Sequence, residues 1–202
     1  MSAGAPVEFY FEFSSPYGYI ASQLVPALEA RIARPIAWKP FLLGPVFKAT
    51  GGAPLTEIPM KGAYSRRDFA RSAAFHGVPY RLPSKFPIGT VAAVRAFYSV
   101  QDRDPAQARA LADALYRAFF TEDRDISDPA VVVATARTLR IDGAALEAAL
   151  GDPAVKERAK REVDGAIAKG VFGSPFFIAD GEPFWGCDRM PMLEEWVRRG
   201  GW

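Results

Sequence analysis

The sequence predicts an α/β fold whose strand-bearing part is split by a long all-helical block, and three observations carry that prediction. An apolar run from Val7 to Phe13 ends in a Ser-Ser-Pro turn that opens a helical stretch. Near the other end, Phe176 to Ala179 and Phe184 to Trp185 flank the turn Asp180-Gly181, as in a β-hairpin. Between them, from Lys48 to about Lys169, apolar residues recur at helical spacing almost throughout. The expected organisation is a βαβ unit over 1–47, an inserted helical domain over 48–168 and a ββα unit over 169–202.

Taken in order, Val7 to Phe13 reads as a buried strand. Ser14-Ser15-Pro16-Tyr17-Gly18 follows it directly. Pro16 suits the first helical position, because its ring fixes φ and its missing N–H would have no intrahelical partner. Ser15 is then the N-cap or its neighbour, beside unpaired backbone N–H groups and the positive end of the helix dipole, a place that stabilises an anion such as a thiolate. On these residues alone the turn reads first as an ordinary helix cap. The helix, roughly Tyr17 to Ala33, carries Ile20, Leu24, Ala27 and Leu28 on one face and should kink at Pro26. A second strand is expected over Ile36 to Leu42, punctuated by Pro35 and Pro40.

Helices are expected at Tyr64–Phe75, Thr90–Ser99, Pro105–Phe120, Pro129–Leu139, Gly143–Leu150 and Pro153–Lys169, separated by Pro- and Gly-containing segments, with no internal repeat. The helical block lies between two pieces that need each other. Its face toward Ser15 would complete a substrate cleft. In the last unit Pro175 stands at the first residue of an apolar strand, where a missing N–H does least harm. Asp188 can cap a closing helix, Arg189 to Arg199, whose Leu193, Trp196 and Val197 share a face.

Composition narrows the function. At 202 residues, half of them hydrophobic, the chain buries a sizeable core. A net charge of +2 with scattered Lys and Arg gives no footprint for nucleic acid. The single cysteine, Cys187, rules out an internal disulfide and any Cys-x-x-Cys redox pair, and fits a reducing compartment. Met1 to Glu8 shows no targeting pattern and there is no run of 18 apolar residues, so no membrane span and a cytoplasmic location are expected.

The candidate chemistry is equally narrow. His76 is the only histidine, and its Phe75-His76-Gly77-Val78-Pro79 setting reads as a surface or helix C-cap position rather than as a base for Ser15. There is no Gly-x-Ser-x-Gly elbow, no metal-ligand cluster and no phosphate loop. Without a base Ser15 is a poor nucleophile. It can still donate a hydrogen bond and so stabilise a thiolate supplied by another molecule.

Five segments in order carry a resemblance: Phe13-Ser14-Ser15-Pro16-Tyr17, Leu43 to Gly51 (LGPVFKATG), Ile58-Pro59-Met60-Lys61, Gly173-Ser174-Pro175 and Phe184 to Met190 (FWGCDRM). Together they resemble the kappa-class glutathione transferases and 2-hydroxychromene-2-carboxylate isomerases, relatives of the DsbA oxidoreductases in which Ser replaces the first Cys. The resemblance implies a thioredoxin-like fold with an all-helical domain between its two halves, glutathione as the borrowed thiol, and a homodimer. It makes Ser15 the catalytic residue, with Pro16 and Tyr17 in its turn. It gives Ser174 and a cis Pro175 to the cysteinyl part of glutathione, and Asp188 to its γ-glutamyl amine with Cys187 alongside. Lys61 is implied for glutathione, and Lys48 and Tyr64 for a substrate carboxylate, with Arg66 and Arg67 as weaker candidates. Read without the resemblance, Ser174-Pro175 is a strand start, Asp188 a helix cap and each Lys a solvated charge.

Trp38, Phe41, Phe47, Phe86, Phe172 and Trp185 divide between core and an apolar pocket. Gly52 and Gly89 stand where the family often has Asn, which bears on affinity and substrate choice. The function so implied is glutathione-dependent isomerisation of a small aromatic carboxylate, 2-hydroxychromene-2-carboxylate or a similar unsaturated 2-oxo acid, in aromatic catabolism. A conjugating transferase is the alternative, and a non-catalytic thioredoxin-like binding module is the alternative of another class.

Overall fold

The computed structural model describes residues 4–202, so residues 1–3 of the Met1–Glu8 segment lie outside the described residues. Strands β1 (Val7–Phe11), β2 (Ile36–Pro40), β3 (Phe176–Ala179) and β4 (Glu182–Trp185) form one sheet in the order β2-β1-β3-β4. β1 is parallel to β2 and antiparallel to β3, and β3 and β4 are an antiparallel hairpin. Helix α1 (Pro16–Ile32) makes the crossover that a parallel pair requires.

β1 is central, and that explains why its sequence is an almost unbroken apolar run. Side chains alternate between the faces of a strand. Val7, Phe9 and Phe11 enter the main core with α1, while Tyr10 joins Phe41, Val46 and Phe176 in a second cluster on the other face. With both faces covered, a polar alternation would bury polar groups without partners. Phe9 stacks on Phe177 across the β1–β3 ladder, with ring centroids 4.8 Å apart, and meets Trp38 of β2 edge-on at 5.3 Å.

Between β2 and β3 the chain is helical: α2 (Leu43–Thr50), α3 (Lys61–Phe75), α4 (Val91–Gln101), α5 (Pro105–Phe120), α6 (Pro129–Thr138), α7 (Gly143–Gly151) and α8 (Pro153–Ala168), before the closing α9 (Met190–Arg199). The starts of α5 to α8 match the sequence reading because each carries a physical signal. Asp104, Asp128, Asp142 and Asp152 accept N–H groups of the first turn, and Pro105, Pro129 and Pro153 follow three of them.

Other boundaries differ from expectation. β1 and β2 stop at Phe11 and Pro40, so the apolar residues beyond them belong to the connections. Helix α2 was not expected, and the division between residues 47 and 48 falls inside it; its N-cap Leu42 makes no side-chain bond and Pro45 lies in its first turn. The helix α1 runs unbroken through Pro26, whose ring is exposed, and its buried stripe includes Val25 while Ala27 faces out. Asp188 does not cap α9, because a 3-10 turn over Cys187–Arg189 intervenes and Arg189 takes the N-cap position. His76 is the C-cap of α3.

The helical block shares one core with the sheet. Tyr116 of α5 packs against Phe11, Phe13 and Tyr19, and its hydroxyl donates to the Glu12 carbonyl at 2.9 Å. From α4, Tyr98 donates to the Pro40 carbonyl at 2.7 Å. At the centre of this junction Gly18 leaves no room for a side chain: a Cβ there would lie 2.6 Å from Ser174 Oγ and 2.8 Å from Tyr116 Oη. Gly18→Ala should therefore lower the unfolding free energy by roughly 1–3 kcal/mol through overpacking, although alanine is the better helix former. Urea denaturation checks this, and an unchanged or raised midpoint would count against the packing described.

Candidate active site

A cleft of about 1320 Å³ separates the carboxyl end of β1 from the helical block. Its lining draws on both ends of the chain and the first part of the helical block: the Glu12–Tyr17 turn, α2, α3, the segment Phe86 to Val91, the Phe172–Pro175 approach to β3, and Trp185 to Arg189. Phe47, Phe86, Phe172 and Trp185 line it, whereas Trp38 and Phe41 lie in the core.

Ser15 stands at the buried inner end. It is the N-cap of α1, and its Oγ accepts the Gly18 N–H at 3.0 Å. The same hydroxyl donates to the Ser174 carbonyl at 3.0 Å, across 159 residues of chain. The Ser174–Pro175 peptide is cis, and the Pro175 carbonyl accepts the Gly186 N–H at 3.0 Å. Ser174 Oγ in turn accepts the Glu12 N–H at 2.9 Å. The turn and the approach to β3, expected to face each other, thus meet through two direct hydrogen bonds. The capping bond matters chemically, because an oxygen accepting from a helix N-terminus makes its own proton a stronger donor.

Glu12 is the largest element of the site that sequence reading missed. Only 6 % exposed, it receives the Ser14 N–H on Oε2 at 2.7 Å and the Thr90 hydroxyl on Oε1. Burial pushes its carboxyl up to about 7, against the opposing pull of the bonds from Thr90 and Ser14. The sequence did hold a signal, since Glu12 is the one charged residue in the apolar stretch Phe9 to Phe13. Asp68 is a second addition. Tyr17 donates to it at 2.5 Å, and Arg71, Ser72 and Tyr64 also bond to it. Burial raises its carboxyl, but the bonds from Tyr17 and Arg71 outweigh that and hold it below the usual carboxylate value. No pattern in the sequence distinguishes Asp68 from its charged neighbours.

Of the other expected site residues, Ser15, Pro16, Tyr17, Tyr64, Ser174, Pro175, Cys187 and Asp188 all line the cleft. Lys48 and Lys61 do not, and the helices explain why. α2 turns Leu43, Phe47 and Thr50 toward the cleft, which puts Lys48 on the next face. Lys61 lies one turn before Tyr64, the first residue of α3 in the lining. Arg66 and Arg67 are likewise exposed and outside it. Among the described lining residues the permanent cation is Arg189, paired with Asp188 at 2.8 Å. Gly52 and Gly89 both line the cleft, and a side chain at Gly89 would enter open space. Burial, with Asp188 nearby, pushes the Cys187 thiol up to about 11. The described residues hold no group of three His, Cys, Asp or Glu side chains that could share an ion.

A β1–α1 turn facing a cis proline before β3, with helices inserted between the two halves, defines a thioredoxin-like protein. The profile of the DSBA-like thioredoxin domain matches residues 6–198, and the chain belongs to that family. It is 28 % identical over 205 residues to a protein of Caenorhabditis elegans named glutathione S-transferase kappa 2, covering 95 % of this chain and 91 % of that one. It is also 28 % identical over 193 residues to 2-hydroxychromene-2-carboxylate isomerase of Sphingobium xenophagum, covering 95 % and 97 %. A solved structure of a 2-hydroxychromene-2-carboxylate isomerase superposes with a TM-score of 0.86 at 29 % identity, covering 96 % of this chain and 94 % of that one.

The site yields two measurements. Glu12 has a raised carboxyl in the folded protein, so the folded state holds a proton that the unfolded state releases above about pH 4.5. Its contribution is full below that pH and is lost as pH rises through about 7. Stability of the wild type should thus fall over this window relative to Glu12→Gln, by up to roughly 3 kcal/mol, in urea titrations at a series of pH values. The raised Cys187 thiol should resist alkylation by iodoacetamide in the native protein at pH 7.5 and react promptly in urea.

Proposed function

We propose that this protein uses glutathione to isomerise 2-hydroxychromene-2-carboxylate or a similar aromatic, unsaturated 2-oxo acid, with Ser15 stabilising the glutathione thiolate. The observation that carries the reading is the Ser15 hydroxyl, capping α1 and aimed at the carbonyl beside cis Pro175 at the inner end of a large cleft. Support comes also from the likeness, over nearly the whole chain, to proteins named as an isomerase and as a glutathione transferase.

The hydrogen bonds suit a simple exchange. In the free protein the Ser15 proton rests on the Ser174 carbonyl. When the cysteinyl part of glutathione lies along Ser174 in a strand-like contact, its N–H takes that carbonyl and the Ser15 proton turns to the sulfur. Gly18 N–H stays on Oγ throughout. No buried polar group is left unpaired, and the thiolate gains a donor at a helix N-terminus. Asp188, exposed at the cleft rim, is available to the γ-glutamyl amine, with Cys187 packed beside it. The thiolate adds to the substrate alkene, the resulting single bond rotates, and elimination returns the thiol. Arg189 is the lining cation available to a substrate carboxylate, alongside Tyr64, while Lys48 and Lys61 lie outside the lining. A cytoplasmic homodimer working in aromatic catabolism accords with this reading.

The equal likeness to a kappa-class transferase favours one alternative, in which the sulfur stays on the product. The two separate in one assay: purified protein is incubated with the chromene carboxylate, with and without glutathione. Isomerisation changes the absorbance at constant glutathione, conjugation consumes glutathione stoichiometrically, and unchanged absorbance in both tubes rejects the substrate. Ser15→Ala should cut turnover about 100-fold or more while losing only about 1 kcal/mol of stability with the cap. Activity near wild type in that variant would reduce Ser15 to a helix cap.

A further inference from the structure

The thiol site at Ser15 does not use the most unusual group in the cleft. Glu12 is a buried acid at the end of β1, and among the described residues no Lys, Arg or His side chain contacts its carboxylate. An ionised carboxylate can accept about four hydrogen bonds, and this one receives two. The groups around it are neutral at physiological pH. Thr90 reaches it from the start of α4, Ser14 from its own turn, Ser174 bonds its N–H, and Tyr116 of α5 bonds its carbonyl. A lone acid kept in such surroundings without a counter-ion is poised to change its charge.

Its direction also sets it apart. Ser15 turns toward Ser174 and the sheet, while the Glu12 carboxylate turns to Thr90, in the segment where Ile88 N–H docks on Ser14 Oγ at 3.1 Å. Glu12 therefore meets the cleft on the side walled by the helical block, with Thr90.

We propose that Glu12 is the acid–base residue of this cleft and exchanges a proton with a hydroxyl of the bound substrate. The assignment rests on the isomerase reading and adds the step that opens the ring. In a 2-hydroxychromene acid the hydroxyl and the ring oxygen share one carbon, so a single carboxyl group spans both. The Glu12 carboxylate takes the hydroxyl proton, and the released O–H electron pair forms the ketone. The ring C–O bond breaks with its pair going to the ring oxygen, which takes the proton from Glu12 and becomes a phenol. Glu12 ends ionised as it began, nothing is oxidised or reduced, and the opened ketone is conjugated with the alkene to which the thiolate adds. An acid titrating near neutrality can serve both transfers.

The test uses the full chain with Glu12→Gln, whose amide oxygen can accept the Ser14 N–H while its NH2 donates to the Thr90 hydroxyl in place of accepting from it. Turnover of the chromene carboxylate should fall at least about 100-fold, with glutathione affinity by calorimetry changed by no more than about twofold. Wild-type kcat should rise with pH through a limb near 7 that Glu12→Gln lacks. Thr90→Val serves if the first variant does not fold: with a lowering hydrogen bond removed, the limb should move to higher pH. Three results overturn the role of Glu12 alone: Glu12→Gln turning over at the wild-type rate with the same limb, glutathione affinity lost in step with turnover, or a limb unmoved in Thr90→Val. A wild-type protein inert toward the chromene overturns the isomerase reading, and the role of Glu12 with it.

Discussion

Two hydrogen bonds to Ser174 hold the site together. Glu12 N–H donates to its side chain and the Ser15 hydroxyl to its carbonyl, at 2.9 and 3.0 Å. With the Tyr116 hydroxyl on the Glu12 carbonyl, these bonds join the end of β1, the start of β3 and the helical block through Glu12, Ser15, Ser174 and Tyr116. Each is buried, so losing a partner would strand a polar group in a poorly solvated place. Gly18 completes the junction by its lack of a side chain, letting α1 approach Ser174 and Tyr116 closely.

That junction divides the cleft chemically. On one side, a helix N-terminus and a capped hydroxyl provide dipoles that favour a negative sulfur. On the other, Glu12 is buried among neutral groups with no counter-ion, and burial disfavours its own negative charge. The two groups are three residues apart in sequence. Their opposite preferences come from what surrounds them, since the turn carries one into the reach of α1 and the other against Thr90.

Much of the fold was legible because it was written in local signals. The Asp-Pro starts of α5, α6 and α8 fix their own boundaries through side-chain caps and a preset φ. The Ser15–Pro16 cap was readable for the same reason. One helix without such a signal was not read. α2 has no side-chain cap and carries Pro45 in its first turn, and it is held by packing of Val46 in the second cluster. In the cleft lining, the residues read from the chain's own turns are present, whereas Asp68 is tied to that turn only through Tyr17, 51 residues away. Lys48 lies outside the lining because it falls on the face of α2 beside the one that Leu43, Phe47 and Thr50 turn to the cleft, a rotation that likeness along the sequence does not carry.

The placement of β1 at the centre of the sheet also has a consequence in time. Its parallel neighbour β2 follows at once, but its antiparallel neighbour β3 arrives only after the whole helical block has been synthesised. Until then one edge of β1 has no strand beside it, and Ser15 has no carbonyl to meet. The ribosome thus delivers the Ser15 turn well before its counterpart, so the cleft can close only after the helical block and β3 have both been made.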